Sequence, residues 1–514
     1  MGAMNAPLTA RDSALIVLNR LAYGPRPGEV ERIATGGAMR WVQQQLAPGR
    51  DRAREQIESQ FEILKLDREA LVERYQAARV ARREARRDST SAARDPAVRE
   101  FRELTDEFQQ LAVARAVSAD NQLEEVLADF WINHFNVFLG KSMDRFLLPS
   151  YVEEVIRPRV LGRFEDLLIA TAESPAMMVY LDNTLSVAPG ALPPALARAE
   201  MRSMRRNSPR ADSAVARIRR RMSTGLNENY ARELFELHAL GVDGGYTQQD
   251  VRNAARILTG WGVEPPARGS GFEFRDWAHD RGEKTVLGVR FAPGRGKEEG
   301  LELLRLLARH PATMLHVTTR LCQRLVSDDP PAATIEAGVA AWKRSQGSIR
   351  EVVRAIVATP EFWSVARARA KFKTPLEFVV SSLRAVDGTV GAEPGPARTV
   401  ARLGQPLYRQ PVPTGYAESE AAWANSSALF ERMNVAVALA AGRLPGASVD
   451  LEEHVPLSAD PDQLLDRVDR SLLSGVMSPH ARQVIREQVA GLPQPQARAL
   501  AVGLGLGGPD FQRQ

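Results

Sequence analysis

Apolar residues recur at helical spacing through most of this 514-residue chain, and alternating β-branched runs are scarce. That pattern restricts the fold to a mainly α, multi-helix globular body. Short helices are expected at once. The run TARDSALIVLNRL, from Thr9, is a capped helix that ends in the turn YGPRPGEV, and a second helix covers Glu29 to Leu46. These make residues 1–50 the N-terminal part of the main body.

Residues 51–118 change character. The stretch DREALVERYQAARVARREARRDSTSAARDPAVREFRELTDEF is dense in alternating charge with few apolar positions. It reads as a projecting charged helical hairpin, with Arg79, Arg82, Arg83, Arg86 and Arg87 clustered near its tip. The main helical body follows over 119–445 and a helical tail over 446–514, whose Gly-rich end should fray. Two insertions interrupt the body. Residues 188–225 open with Pro and Gly and carry many arginines, as a solvated excursion or an electropositive rim. Residues 269–296, with Phe272 and Phe274 alternating and TVLGV after them, form the one small β or irregular insertion.

Composition narrows the function classes. Lys+Arg 68 against Asp+Glu 63 gives a net charge of +5, so nucleic-acid binding would need the arginines gathered on one face. The single cysteine, Cys322, allows no disulfide framework and reads as a buried, inert thiol. No apolar window is long enough to span a membrane. The N-terminus shows no secretory signal, which places the chain as written in the cytoplasm. With MGAM as a cloning remnant ahead of Met4, a periplasmic or exported form with its signal removed stays open.

The densest chemistry lies in LNENYARELFELHALGVDGGYTQQD, Leu226–Asp250. On a helix advancing about 100° per residue, Glu228, Asn229, Arg232, Glu233 and Glu236 share one broad face, with Tyr230, Leu234 and Leu237 opposite and His238 at the flank. The i, i+4, i+8 spacing of Glu228, Arg232 and Glu236 lets the guanidinium bridge both acids. Gly241 ends the helix, and Thr247 with Asp250 forms a capping box for the next, so VDGGY is a helix–helix link without calcium-loop ligands. A second cluster is ADFWINHFNVFLGK. There Trp131, His134, Phe135 and Phe138 line one side of a helix, and Asp129, Asn133 and Asn136 lie toward the other. Asp182 and Asn183 sit at a helix end in MVYLDNTLS, and His279, Asp280 and Lys284 in the loop WAHDRGEK.

With these residues in view, the chain resembles a bacterial family called "domain of unknown function 1800". The matching pieces are LNRLAYGPRPGEVERI, DFWINHFNVFLGK, VIRPRVLGRFEDLLIATAESPAMMVYLDN, GLNENYARELFELHALGVDGGYTQQDV, ARILTGW, HDRGEKTVLG, HPATMLHVTTRLCQRLVSDDPP, KFKTPLEFVVSSLRA and LGQPLYRQPVPTGY, in the expected order. The resemblance implies a mainly helical protein and supplies no activity. Its strongest motif falls on Asn227, Glu228, Asn229, Tyr230, Arg232, Glu233, Glu236 and His238. It also implies a sulfatase-like partner protein, because members are often encoded beside a family similar to sulfatases and alkaline phosphatases, and many members look exported.

Two function classes fit. The first is a hydrolase or lyase acting on a polyhydroxylated, anionic polymer such as a glycan. Glu228, Glu233 or Glu236 would serve as general acid or base, and His134, His238 and His279 would shuttle protons. Substrate contacts would come from Trp131, Asn133, Asn136, Asp182, Asn183, Asn229, Tyr230, Arg232 and Lys284. The enzyme would need no cofactor, or, in a variant, a divalent metal such as zinc, manganese or iron held by His279 and Asp280. The second class is a non-catalytic helical scaffold, in which the polar helix is a hydrogen-bonded joint and the arm docks a partner. What separates the classes is whether the polar segments meet around an open hollow.

Overall fold

The structure is a computed structural model that describes residues 8–87, 94–194, 196–198, 200–201, 225–364 and 369–514. Helices build most of it, and among the described residues the strands form three two-stranded antiparallel ladders. The N-terminal helix, Ala10–Arg20, starts as its sequence dictates. The Thr9 hydroxyl accepts from Asp12 N and the Asp12 carboxylate accepts from Thr9 N, so two otherwise unpaired donors are satisfied reciprocally.

Arg68–Arg87 and Pro96–Ser118 form the expected hairpin. Asp95 caps the second helix and Pro96 occupies its first turn, where a missing N–H costs nothing. The outer half has a small core of its own, Ala78, Ala81, Val98 and Phe101 packed with Tyr75. Arg79, Arg83, Arg86 and Arg87 are exposed around it. The hairpin is rooted more deeply than its charge pattern suggests. Phe108, Leu111, Val113, Ala114 and Val117 belong to the main core, as do Ile57, Phe61 and Ile63 before the first helix. Only the distal part of 51–118 therefore stands apart from the body.

The main core is continuous from Ala14 to Phe511. The glycine-rich end of the chain, expected to fray, lies inside it. The Gln494–Gly507 helix packs on Ser426–Ala440, and its glycines let the two backbones approach closely. A Cβ on Gly503 would come within 2.7 Å of Val437 Cα. The last residue pairs by backbone with Lys371 in both directions, at 2.9 and 3.1 Å.

The β insertion is two ladders. Phe272–Phe274 pairs with Trp261–Val263, which precedes the region assigned from sequence, and Lys284–Val286 pairs with Val289–Phe291. Within the arginine-rich segment, residues 202–224 lie outside the described residues, so the proposed rim does too. No helix among the described residues is long and apolar enough to cross a membrane. Cys322 is fully buried, and burial pushes its thiol up to about 12.

Candidate functional site

The helix of the densest motif is short. Asn229–Glu233 is α-helical, and Leu234–His238 widens to a π turn before Gly241 closes it, with Gly241 N bonded to Phe235 O. Gly241 has φ +82° and lies against His316, where a Cβ would be 2.9 Å from Nδ1, so both conformation and space require glycine. The capping box predicted for the next helix, Gln248–Ile257, is formed by Thr247 and Asp250.

Amides anchor this motif to a neighbouring turn. Asn227 Nδ2 donates to Asp182 O at 3.2 Å, and Asn229 Nδ2 donates to Leu181 O at 3.2 Å. Asp182 adopts a left-handed conformation, φ 59°, and its carboxylate accepts from Lys141 Nζ at 2.8 Å. Lys141 also donates to Tyr180 O. Asn183 Nδ2 faces inward and donates to the carbonyls of Leu258 and Trp261.

The outer face carries the expected ion row. Arg232 lies 3.5 Å from Glu228 and 3.7 Å from Glu236. Glu228 is further held by Gln248 at 2.7 Å and Arg252 at 3.2 Å. Glu233 differs from both neighbours. It is half-buried, and among the described residues its carboxylate has no ion-pair or hydrogen-bond partner. Burial, then the charge of Glu236, raises its pKa, against a weaker opposing effect of Arg232. Its charge also reaches Tyr180, whose hydroxyl donates to Pro411 O at 2.9 Å.

The histidines belong elsewhere. His134 and His238 are buried, and His134 Nε2 donates to His238 O at 3.2 Å. A third ring, His316, joins them 6.2 Å from His134 and donates through Nε2 to Leu237 O at 3.2 Å. Burial lowers all three, His238 to about 3; His316 adds to it at His134 and His238, and Arg320 at His134 and His316. Neutral, sealed imidazoles do not shuttle protons to an outer face, which corrects the catalytic expectation for His134 and His238. Sequence reasoning missed His316, whose only signal is a position one turn before Arg320.

His279, Asp280 and Lys284 form a separate buried knot. Arg256 holds both Asp280 oxygens, at 2.8 and 3.1 Å, and Gly282 N adds a third bond. Burial pushes the Asp280 carboxyl up, yet Arg256, Gly282 N and Lys284 together bring it below its ordinary value. Lys284 Nζ lies 2.7 Å from Glu299, both fully enclosed, and His279 Nδ1 donates to Thr259 O at 2.9 Å. The Asp280 carboxylate, a metal ligand in the sequence reading, is here the ion-pair partner of Arg256. Among the described residues no group of three or more His, Cys, Asp or Glu is arranged to hold a metal ion. Lys284 and His279 are correspondingly withdrawn from substrate and proton-transfer roles.

A fourth polar group was not foreseen as a unit. Arg324, 3% exposed, binds Glu377 at 2.7 Å, Asp129 at 3.2 Å and Glu418 at 3.4 Å. Burial pushes Asp129 up to about 7, with Glu418 and Glu377 adding to it against Arg324. Asp129, Asn133, Asn136, Arg324, Tyr416 and Glu418 line a cavity of about 40 Å³, water-sized. Asn133 exchanges hydrogen bonds with the Tyr416 backbone at 2.7 and 2.8 Å, and Asn136 donates to Gln410 O and Val412 O. These amides hold the proline loop Leu403–Tyr416 and have little left for a substrate. Trp131 and Tyr230, expected to contact substrate, are core residues. Trp131 Nε1 donates to Val160 O, and Tyr230 is 1% exposed.

The candidate residues therefore separate into four groups and do not surround one hollow. Lys141, Asp182, Glu228, Arg232, Glu233 and Glu236 form the water-accessible group, with the buried Tyr180 beneath it. Neither a comparison with curated proteins nor one with solved structures gives a match. The sequence model of the family described as Protein of unknown function (DUF1800) matches residues 16–513, nearly the whole chain, and the protein belongs to that family.

Proposed function

We propose that the face carrying Glu233 is a general acid–base centre of a hydrolase or lyase acting on a hydroxylated substrate. One observation carries the reading. Every other carboxylate expected to be catalytic is neutralised by a cation, whereas Glu233 is half-buried, without a partner among the described residues, and raised in pKa beside Glu236. Glu233, raised by burial and by the charge of Glu236 three residues on, is suited to holding and releasing a proton in a reaction. Lys141 and Arg232, each shared with an acid, would attract an anionic group, and for that reason an anionic glycan is the first substrate class to try. The Tyr180 hydroxyl and the Lys141–Asp182 pair would position hydroxyls beside Glu233.

The scaffold reading rests on a different observation. Arg324 draws acids from three separate segments into one buried joint, and buried networks of that kind specify a fold without catalysing anything. The sulfatase-like protein implied by the family would then be its partner.

Wild type and Glu233→Gln, assayed on a panel of anionic and neutral glycans and phosphoesters with thermal melts alongside, separate the two. The acid–base reading expects turnover by wild type that falls by about 10²–10⁴-fold in the variant at an unchanged melt. Turnover unaffected by the substitution, or none from either protein across the panel, refutes it.

A further inference from the structure

The chain has seven lysines, and six have an evident reason for their surroundings. Lys65, Lys141, Lys284, Lys297 and Lys371 each pair with a carboxylate, and Lys343 is exposed to water. Lys373 is 3% exposed, and among the described residues its ammonium nitrogen has neither a carboxylate nor a hydrogen-bond acceptor. It comes from KFKTPLEF, a segment with no part in the acid–base face.

Lys373 lines a cavity of about 270 Å³ between the first helix and the C-terminal segment, close to the lower size of small-molecule sites. Leu15, Ile16, Leu472, Leu473, Val476 and Phe511 supply apolar walls. The charged groups that line the cavity beside the lysine are already committed. Asp12 caps the first helix, Asp510 accepts from Ser478 N and pairs with Arg369, and Arg513 pairs with Glu420. Glu377, the nearest acid by its effect, is held by Arg324, Thr374 N and Gln514.

We propose that this cavity is a binding site for a small apolar aldehyde or ketone, which Lys373 captures as an imine. An amine enclosed by apolar walls, unpaired and facing free volume, has the surroundings that activate a lysine as a nucleophile. Burial, with Arg369 and Arg432 nearby, brings Lys373 down to about 7, against Glu377. The Phe511 ring, 3.6 Å from Nζ, also favours the ammonium and is outweighed. Much of the amine is thus neutral at physiological pH. Its lone pair adds to the carbonyl carbon, the oxygen takes up a proton, and the carbinolamine loses water to leave C=N. No electrons are exchanged, and the carbonyl compound and the amine combine with release of one water. The apolar tail lies along Leu15, Leu472 and Phe511.

The test uses the full chain with heptanal and sodium cyanoborohydride, which traps the imine as a secondary amine. Peptide mass mapping then reads labelling at each of the seven lysines from pH 5 to 10. Lys373 should label about 10–100-fold faster than Lys343 at pH 7, because a far larger fraction of it is free amine, and its rate should be half-maximal near pH 7. Leu15→Trp, which enlarges a wall residue into the cavity, should lower labelling at Lys373 at least tenfold and leave Lys343 unchanged. Lys373 labelling no faster than Lys343, or with a midpoint above pH 9, overturns the proposal on wild type alone. Undiminished labelling in a Leu15→Trp protein of normal melt overturns the cavity's role.

Discussion

Replacing Asp129 by Asn should stabilise the protein in alkali although it removes a partner of Arg324. The carboxyl titrates near 7 in the folded chain and at about 3.9 unfolded, because burial and the acids Glu377 and Glu418 outweigh the guanidinium. The unfolded chain therefore releases this proton at lower pH than the native one. Below about pH 4 the group is protonated in both states and contributes nothing. From there to about pH 7 native stability falls as pH rises, and above that the loss is constant at about 4 kcal/mol. The carboxyl keeps 23% of its surface open to the small cavity, so solvent screening makes that figure a ceiling, and about 2–3 kcal/mol is the working expectation. Asparagine has the same shape, cannot ionise, and leaves Arg324 with two carboxylates. Urea unfolding of wild type and Asp129→Asn at pH 5, 6, 7 and 8 reads the difference directly, and slopes from other groups cancel between the two proteins. The advantage of the variant should grow by about 1–2 kcal/mol between pH 5 and pH 8. A difference independent of pH, or one that favours wild type increasingly as pH rises, would falsify the claim that burial dominates at Asp129.

Two further outcomes follow from the same geometry. His238 is neutral in the fold and its pKa is about 3, against about 6.5 unfolded, so it withdraws about 1.4 kcal/mol for each pH unit of acidification between those values. His238→Phe should flatten the acid limb of a stability profile from pH 6.5 to 4, and an unchanged slope argues against a sealed, neutral ring. Gly503→Ala should destabilise by about 1–3 kcal/mol although alanine favours helices, because its Cβ meets the Val437 backbone, whereas Gly36→Ala, with open space around it, should stabilise slightly. Thermal melts that rank the two substitutions the other way dispose of the close-packing account.

The helical class, the capping boxes at Thr9 and Thr247, the Glu228–Arg232–Glu236 row and the hairpin of Arg68–Arg87 with Pro96–Ser118 were all legible in the sequence. Each depends on residues a few positions apart. Long-range partners were not legible. Nothing local shows that Arg324 selects Asp129, Glu377 and Glu418, or that Lys284 is enclosed with Glu299. The glycine-rich end looked loose because glycine is flexible when unsupported. Its spacing at 503, 505 and 507 instead admits a neighbouring helix. The hairpin looked longer than it is because charge density hides the apolar stripe through Phe108, Leu111 and Val117.

The abundance of asparagine in the family motifs has a physical reason that needs no substrate. The Tyr180–Asn183 turn, the ends of neighbouring helices and the proline loop present carbonyls that no regular ladder reaches, and enclosed carbonyls must find donors. Five asparagines meet that need across chain separations no helix bridges. Asn133 and Asn136 reach Tyr416, Gln410 and Val412, Asn183 reaches Leu258 and Trp261, and Asn227 and Asn229 reach Asp182 and Leu181. A side-chain amide suits this task because it donates without charge, so it can be enclosed at far lower cost than lysine or arginine. With the amides assigned to architecture, the remaining polar residues of the motifs divide sharply. Glu228 and Glu236 are balanced by Arg232, Asp182 by Lys141, and among the described residues Glu233 alone on that face stands without a cation. Packing gives no reason for an acid there, since an alanine or a glutamine would suit a half-buried helix position without opposing Glu236. A half-buried acid beside another of the same sign, unexplained by packing, is the feature on which the acid–base proposal rests.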